Sequence, residues 1–137
     1  MFDNNLHPVF YLSQAVSEGM IERESGRIIN FSMANADKMM AQTEVTAHYI
    51  AKAGVLMLTR AFARQLATHG ITVNAISPGF IDSGSAPKDE LNAMVSKIPA
   101  GYIGSPKDAV DAVLYLLSEE AAYVNGSNII LSGGWGL

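Results

Sequence analysis

The first amphipathic pattern along the chain predicts a helix over residues 5–24. Pro8 fits the first turn of this helix, because proline has no N–H to donate and the first turn requires none. A polar segment then leads to Gly26, which is a natural helix stop. The positions that recur at helical spacing are all apolar: Val9, Leu12, Val16 and Met20.

The strongest periodic segment predicts a second, longer helix over residues 46–69, which ends before Gly70. Two shorter helices are predicted after it. One covers residues 89–97, and the other begins at Ser105, where a following proline and Asp108 complete a capping sequence. The apolar positions of the long helix lie along one face: Ala51, Val55, Leu58, Phe62 and Leu66.

Three short apolar runs predict buried strands at residues 27–32, 71–76 and 127–131. Successive runs are separated by more than 25 residues that contain a predicted helix, which favours parallel pairing with right-handed crossovers. The stretch 34–46 is predicted to be irregular. The sequence therefore predicts an α/β fold, a single domain over residues 1–137 in which three parallel strands alternate with helices.

Composition narrows the class of protein. Hydrophobic residues make up 49% of the 137 residues and charged residues 16%, which excludes a disordered chain and leaves apolar surface for a partner. The net charge is −4 and there is no basic stripe, so neither nucleic acid nor an anionic membrane is an expected partner. The absence of cysteine, of a signal-peptide pattern and of a membrane-length apolar run favours a cytoplasmic protein. The three histidines lack metal-ligand spacing, so no metal site is expected.

Several short motifs follow one another along the chain. They are Gly26-Arg27-Ile28-Ile29-Asn30, Ala51-Lys52-Ala53-Gly54-Val55, GITVNAISPG at 70–79, Ile98-Pro99-Ala100-Gly101, and Asn125-Gly126 with Gly133-Gly134. In this order the chain resembles the short-chain dehydrogenase/reductase family, above all its members of the 3-oxoacyl-acyl-carrier-protein reductase type. The resemblance covers essentially the whole chain. It implies a doubly wound, Rossmann-like sheet of which the three predicted strands are the last three of seven.

The resemblance also implies NAD or NADP as the cofactor. In the family, a turn of pattern T-G-x-x-x-G-x-G opens the fold and binds the pyrophosphate at a helix N-terminus. This pattern does not occur here, and Gly133-Gly134-Trp135-Gly136 has neither its spacing nor a following helix. The chain thus resembles the C-terminal half of such an enzyme, and we expect cofactor binding by this chain alone to fail at the adenosine half.

The family's chemistry uses four side chains. A tyrosine is the acid or base, a lysine four residues later lowers its pKa and holds the nicotinamide ribose, a serine orients the substrate, and an asparagine anchors a water. The resemblance implies that Asn5 is this asparagine and Lys52 this lysine. Four residues before Lys52 stands His48, and Tyr49 follows one place later, so both remain candidates. A nearby lysine ammonium is expected to lower the pKa of His48.

The serine position also departs from the family pattern. Met33 stands there, and Ser32 precedes it. Because neighbouring residues of a strand face opposite sides, Ser32 points away from the site if this register holds. Ser32 stays a candidate beside the interpretation that neither it nor Tyr49 is catalytic.

A further motif, Pro78-Gly79-Phe80-Ile81-Asp82-Ser83, resembles the family's nicotinamide loop. The resemblance implies that Pro78 and Gly79 shape the turn, that Ile81 offers its backbone to the carboxamide, and that Ser83 replaces a common threonine. The helical segment that follows, to about Lys97, is expected to be a mobile substrate lid.

Two functional interpretations remain open. The first is an NAD(P)-dependent oxidoreductase that transfers hydride between the cofactor and a carbonyl or alcohol, with the isolated chain inactive. The alternative is a catalytically inactive oligomerisation module or a truncated reading frame. In the family, the helices that correspond to 5–24 and 46–69 pack between subunits. A second copy, or a chain that supplies the missing N-terminal half, is therefore the expected partner. The free edge of strand 27–32 favours such pairing.

Overall fold

The computed structural model describes residues 1–38 and 43–137. Its strands form one parallel sheet in the order β1-β2-β3: β1 is Gly26–Phe31, β2 is Ile71–Pro78 and β3 is Asn128–Leu131. The pairing register runs from Gly26↔Ile71 to Phe31↔Ile76 between β1 and β2, and from Ala75↔Asn128 to Pro78↔Leu131 between β2 and β3. The predicted three-stranded, parallel α/β sheet is therefore confirmed. Strand β2 runs two residues beyond its prediction because Ser77 and Pro78 still pair with β3.

Five α-helices lie in the described ranges: α1 Phe2–Asn5, α2 His7–Glu22, α3 Thr46–Leu66, α4 Lys88–Val95 and α5 Pro106–Leu117. Short 3-10 turns cover Ala36–Lys38, Ala67–His69 and Glu119–Ala121. The long helix predicted over 46–69 is confirmed, with its last turn wound as a 3-10 turn. Of the stretch predicted to be irregular, residues 39–42 lie outside the described residues. None of the described helices is long and apolar enough to cross a membrane.

The helix predicted over 5–24 is confirmed as α2, with Pro8 in its first turn as predicted. A short helix α1, which was not predicted, precedes it and is separated from it at Leu6. Pro8 accounts for the break. In an uninterrupted helix its nitrogen would donate to the carbonyl of Asn4, but proline has no N–H and its ring collides with that carbonyl. Leu6 adopts φ −115° and ψ −53°, which leaves Pro8 in the first turn of α2.

The main core lies between α3 and the sheet. It consists of Ile28 on β1, Ile71 and Val73 on β2, and Phe62, Ala63 and Leu66 on α3. Helix α2 adds Met20 and Ile21 to its rim. Helix α5 contacts all three strands and buries Leu116.

The Asn125-Gly126 motif has a structural explanation. The side-chain Oδ1 of Asn125 accepts a hydrogen bond from the N–H of Val73 at 2.8 Å, and its Nδ2 donates to the carbonyl of Ala63 at 3.2 Å. The N–H of Gly126 donates to the carbonyl of Val73 at 2.9 Å. Asn125 thus ties the start of β3 to both β2 and α3.

The carboxyl ends of the three strands meet at one edge of the sheet, as parallel pairing requires. The loops that follow the strands are bonded across this edge. Ala34 donates its N–H to the carbonyl of Pro78 at 2.9 Å, and Gly79 donates to Leu131 at 2.9 Å. This edge brings the candidate site residues after β1 and β2 together.

Candidate functional site

Lys52 is held between α3 and the end of β1. Its Nζ donates to the carbonyl oxygen of Phe31 at 3.1 Å, and its own carbonyl accepts the hydroxyl of Ser32 at 2.8 Å. The side chain is half-buried, and this burial lowers the pKa of the Lys52 ammonium below its ordinary value. The ammonium still has two further protons to donate, so it can bind a hydroxyl or an anion beside this edge.

His48 lies one helical turn before Lys52 on α3 and shares its side of the helix. Burial and, to a smaller extent, the charge of Lys52 lower the pKa of His48 from 6.5. The direction agrees with the prediction, although burial is the larger cause. At neutral pH the imidazole is therefore neutral, so it can accept a proton and does not carry an imidazolium charge.

Tyr49 stands three residues before Lys52 on the same helix and is more deeply buried than His48. Its side chain is only 7% exposed, and its phenol has no hydrogen-bond partner within residues 1–38 and 43–137. Residues three and four positions apart are both neighbours on a helix, so burial, and not spacing, distinguishes Tyr49 from His48. The electrostatic influence of Lys52 falls on His48.

Ser32 and Met33 follow β1 and differ in their surroundings. Ser32 is 5% exposed, and its hydroxyl is turned toward the main chain of α3, where it donates to Lys52. Met33 packs against a small cluster formed by Ala36, Leu56 and Ala75. The one hydroxyl proton of Ser32 is therefore already used in a structural hydrogen bond, and Met33 offers none.

Asn5 is the last residue of α1, and its side-chain amide points back to the N-terminus of the chain. Its Nδ2 donates to the carbonyl of Met1 at 3.1 Å and lies 3.4 Å from the Met1 sulfur. The next residue, Leu6, packs tightly on α3, since a Cβ added at Gly54 would stand 2.8 Å from Leu6 Cδ1. The structure therefore brings the end of α1 close to the Lys52 region, but it shows no hydrogen bond between Asn5 and Lys52.

The loop after β2, here called the 78–83 loop, is bonded through its main chain to β3 at Gly79 and to the segment before α5. The N–H of Asp82 donates to the carbonyl of Gly104 at 2.8 Å, and the N–H of Gly104 donates to Phe80 at 3.1 Å. Ser83 lies on the exposed side of the loop and shares its hydroxyl with Ser85 at 2.8 Å. Among the described residues the main-chain N–H of Ile81 has no partner, so it is available to a ligand carbonyl.

The residues present fit one end of a nicotinamide cofactor. Lys52 supplies protons for ribose hydroxyls, and the free N–H of Ile81 suits a carboxamide oxygen. The chain carries no T-G-x-x-x-G-x-G turn for the pyrophosphate. Within the described part of the chain, no three acidic or histidine side chains come together as a metal ion would require.

Sequence reasoning missed one residue near this loop. The ring of Trp135, three residues from the C-terminus, lies 4.6 Å from the ring of Phe80 between centroids. The two positions are 55 residues apart in the sequence, and no motif joins them. Only the glycines around Trp135 indicate that the chain turns sharply there.

Comparison with known proteins places the whole chain in one family. Residues 1–136 match the family model described as enoyl-(acyl carrier protein) reductase. The 3-oxoacyl-(acyl-carrier-protein) reductase FabG of Vibrio harveyi is 37% identical over 137 residues, covering 98% of this chain and 55% of that protein. Nodulation protein G of Azospirillum brasilense is 44% identical over 133 residues, covering 95% of this chain and 53% of that protein.

A solved structure shares the fold. The crystal structure of a candidate gluconate dehydrogenase from Agrobacterium tumefaciens superposes with a TM-score of 0.86 at 31% sequence identity. The match covers 95% of this chain and 53% of the other. The chain thus spans about half the length of the relatives it matches, and the three strands form part of a Rossmann-like sheet.

Proposed function

This chain belongs to the short-chain dehydrogenase/reductase family, and we propose that it supplies the nicotinamide and substrate end of an NAD(P)-dependent oxidoreductase site. The substrate class is a carbonyl compound or its alcohol. The observation that carries this proposal is the position of Lys52, whose ammonium is held at the edge of the sheet by the carbonyl of Phe31. A bound nicotinamide cofactor would supply or accept the hydride.

The roles of the chain's own residues follow from their contacts. Lys52 would bind the ribose hydroxyls through the protons that Phe31 does not accept. The free N–H of Ile81 would bind the carboxamide and orient the ring. His48 would take part in proton movement as a neutral base, and its position one turn before Lys52 supports this role over that of the buried Tyr49.

The proposal includes a limit. Without the pyrophosphate-binding turn, the isolated chain binds NADH and NADPH weakly and has no dehydrogenase activity at enzyme-like rates. A chain that supplies the N-terminal half of the fold would complete the site. The free edge of β1 supports such pairing, because only its other edge is bonded, to β2. Beside this edge lies a groove of about 300 Å³ whose lining includes Leu12 and Phe31.

A second candidate function, that of an inactive assembly module, is favoured by the residues at the catalytic positions. Met33 and His48 replace the family's serine and tyrosine, whereas the faces of α2 and α3 keep their apolar character. A groove of about 390 Å³ between these helices is lined by apolar side chains that include Phe10 and Leu58. A second copy of the chain would cover it, giving a homo-oligomer.

The two candidates are separated by titrating the chain with NADH, NADPH and reduced nicotinamide mononucleotide in a calorimeter. The oxidoreductase proposal predicts that the mononucleotide binds nearly as well as the dinucleotides, because only the nicotinamide end is built here. Lys52→Met should weaken this binding about tenfold, which corresponds to one charge-assisted hydrogen bond. Lys107→Met, which removes a fully exposed lysine on α5, should leave it unchanged. Absence of all binding would favour the assembly module.

The assembly candidate has its own test in sedimentation equilibrium. A second copy on the α2–α3 groove predicts a dimer that Tyr11→Glu disrupts, because Tyr11 is 64% exposed on α2 and lines the neighbouring groove. Thr68→Glu, on an exposed turn away from this face, is the matched control and should leave the dimer intact. A monomer at all accessible concentrations would contradict this candidate.

A further inference from the structure

The last six residues of the chain, 132–137, form a segment that touches all the loops at the carboxyl edge of the sheet. The carbonyl of Gly133 accepts the N–H of Ala100 at 2.9 Å. Gly136 lies so close to Asn35 that a Cβ at this position would collide with the Asn35 amide, and its φ of +80° suits only glycine. The C-terminal segment therefore links the turn after β1 with the segment before α5.

The same segment contacts the 78–83 loop through one aromatic pair. The rings of Trp135 and Phe80 stand 4.6 Å apart at 59°, a tilted arrangement within the favourable range for aromatic pairs. Trp135 itself is half-buried, and its main-chain N–H donates to the carbonyl of Ser132 at 3.0 Å. Both its ring and its backbone are thus held in place.

A cavity of about 240 Å³ lies against Phe80 and Ile81, and it extends to Tyr102 and Gly133. The main-chain bonds with Gly104 hold the loop from one side, and Asp82 and Ser83 are exposed. The Trp135 ring therefore supports Phe80, the residue next to Ile81, through a side-chain contact.

From this arrangement we infer that Trp135 is a positioning residue that keeps the N–H of Ile81 in place for the carboxamide of a nicotinamide nucleotide. The inference rests on the proposed function for its ligand. Its structural half, that Trp135 orders the 78–83 loop, stands independently of any ligand. Because the chain contains one tryptophan, tryptophan fluorescence reports on the surroundings of Trp135.

The structural half is tested by amide hydrogen exchange without ligand. In Trp135→Ala, the amides of Asp82 and Gly104 should exchange about tenfold faster, because their bonds belong to the supported loop. The amide of Val73 in the core strand β2 should keep its rate. Trp135→Phe retains a ring and should restore protection. Unchanged exchange at Asp82 and Gly104 in Trp135→Ala would overturn the inference.

The ligand half is tested with reduced nicotinamide mononucleotide. Binding should quench the fluorescence of Trp135 in the native chain. Trp135→Ala should raise the dissociation constant about fivefold, whereas Trp135→Phe should stay within about twofold of the native value. Equal affinity of the native chain and Trp135→Ala would overturn this half.

A second variant guards against loss of folding. Phe80→Leu removes the same ring pair from the other side, and it should reproduce the faster exchange at Asp82 if Trp135→Ala fails to fold. Tyr123→Ala, at a fully exposed aromatic residue, is the matched control and should change nothing. If the native chain does not bind the mononucleotide while exchange responds to Trp135→Ala, the proposed function fails and the positioning of the loop by Trp135 stands.

Discussion

The side-chain nitrogen of Lys52 lies 3.1 Å from the carbonyl oxygen of Phe31, the last residue of β1. The neighbouring hydroxyl of Ser32 returns the contact by donating to the carbonyl of Lys52 at 2.8 Å. Two hydrogen bonds that run in opposite directions thus join the start of α3 to the end of β1. Lys52 is consequently held by hydrogen bonds to residues of this chain.

Removal of the Ser32 hydroxyl tests this junction. Ser32→Ala should lower the free energy of unfolding by about 0.5–1.5 kcal/mol, the usual net value of one buried hydrogen bond. Urea denaturation measures the change. The matched control is Ser83→Ala, because the Ser83 hydroxyl is exposed and its loss should cost less than about 0.5 kcal/mol. Equal effects of the two variants would show that the Ser32 bond contributes nothing to stability.

His48 gives the stability a defined pH dependence. Its folded-state pKa lies below 6.5, so the unfolded chain binds the proton more readily. Stability from this group is complete above about pH 6.5 and is lost as the pH falls toward the lower, folded-state pKa. The free energy of unfolding should therefore fall less steeply on mild acidification in His48→Asn than in the native chain. An identical slope for both proteins would contradict this assignment.

The two causes of the His48 shift are separable. Lys52→Met removes the charge but retains most of the burial, and burial is the larger cause. The pKa of His48, followed by proton NMR of the imidazole, should therefore rise in this variant and still remain below 6.5. A full return to the ordinary value would mean that the charge of Lys52 is the dominant cause.

Local patterns were sufficient to predict the elements of this fold. Strand β2 is buried over seven residues and rich in β-branched residues, and α3 shows one clear apolar face, so both were predicted nearly to their ends. The short helix α1 was not predicted, because residues 2–5 are too few to show a helical period.

The sequence predicted which site residues lie near each other only where both residues belong to the same helix or strand. The spacing of His48 and Lys52 on α3 correctly indicated an electrostatic interaction between them. The sequence left open which of His48 and Tyr49 lies beside Lys52, because the two are neighbours in the chain and the burial of Tyr49 depends on tertiary packing. The contact between Phe80 and Trp135 depends on the path of the C-terminal segment, which no local pattern encodes.

A buried pair of polar side chains, Asn30 on β1 and Thr59 on α3, also joins these two elements. Asn30 donates its Nδ2 to Thr59 Oγ1 at 3.0 Å, and Thr59 donates its hydroxyl to the carbonyl of Val55 at 2.8 Å. Thr59→Val keeps the volume but leaves the Asn30 amide without this acceptor, so it should cost about 1–3 kcal/mol in urea denaturation. The exposed Thr68→Val is the control, with an expected change below about 0.5 kcal/mol.

The double variant decides whether the pair acts as a unit. Asn30→Val combined with Thr59→Val should cost less than the sum of the single variants, by about 0.5–3 kcal/mol, because no unpaired amide remains. Strict additivity would mean that the Asn30 amide finds another partner when Thr59 is changed.

The same substitution at two glycines should have opposite effects on stability. Gly70 joins α3 to β2 with φ +67°, and a Cβ there would stand 2.7 Å from the main-chain oxygen of Glu24. The left-handed conformation costs an alanine about 1–2 kcal/mol. The collision with Glu24 must in addition be relieved by a movement of the backbone. We therefore expect Gly70→Ala to destabilise the chain by about 2 kcal/mol or more.

Gly19 is the matched counterpart inside α2. An alanine Cβ there meets nothing nearer than a guanidinium nitrogen of Arg23 at 3.6 Å, which is ordinary contact. Gly19→Ala should thus stabilise the chain by about 0.5–1 kcal/mol through its better helix propensity. Thermal and urea denaturation of both variants show whether each substitution raises or lowers the stability of the chain. If Gly70→Ala proved neutral, the connection from α3 to β2 would have to adopt another turn. The register that pairs Gly26 with Ile71 would then not depend on that glycine.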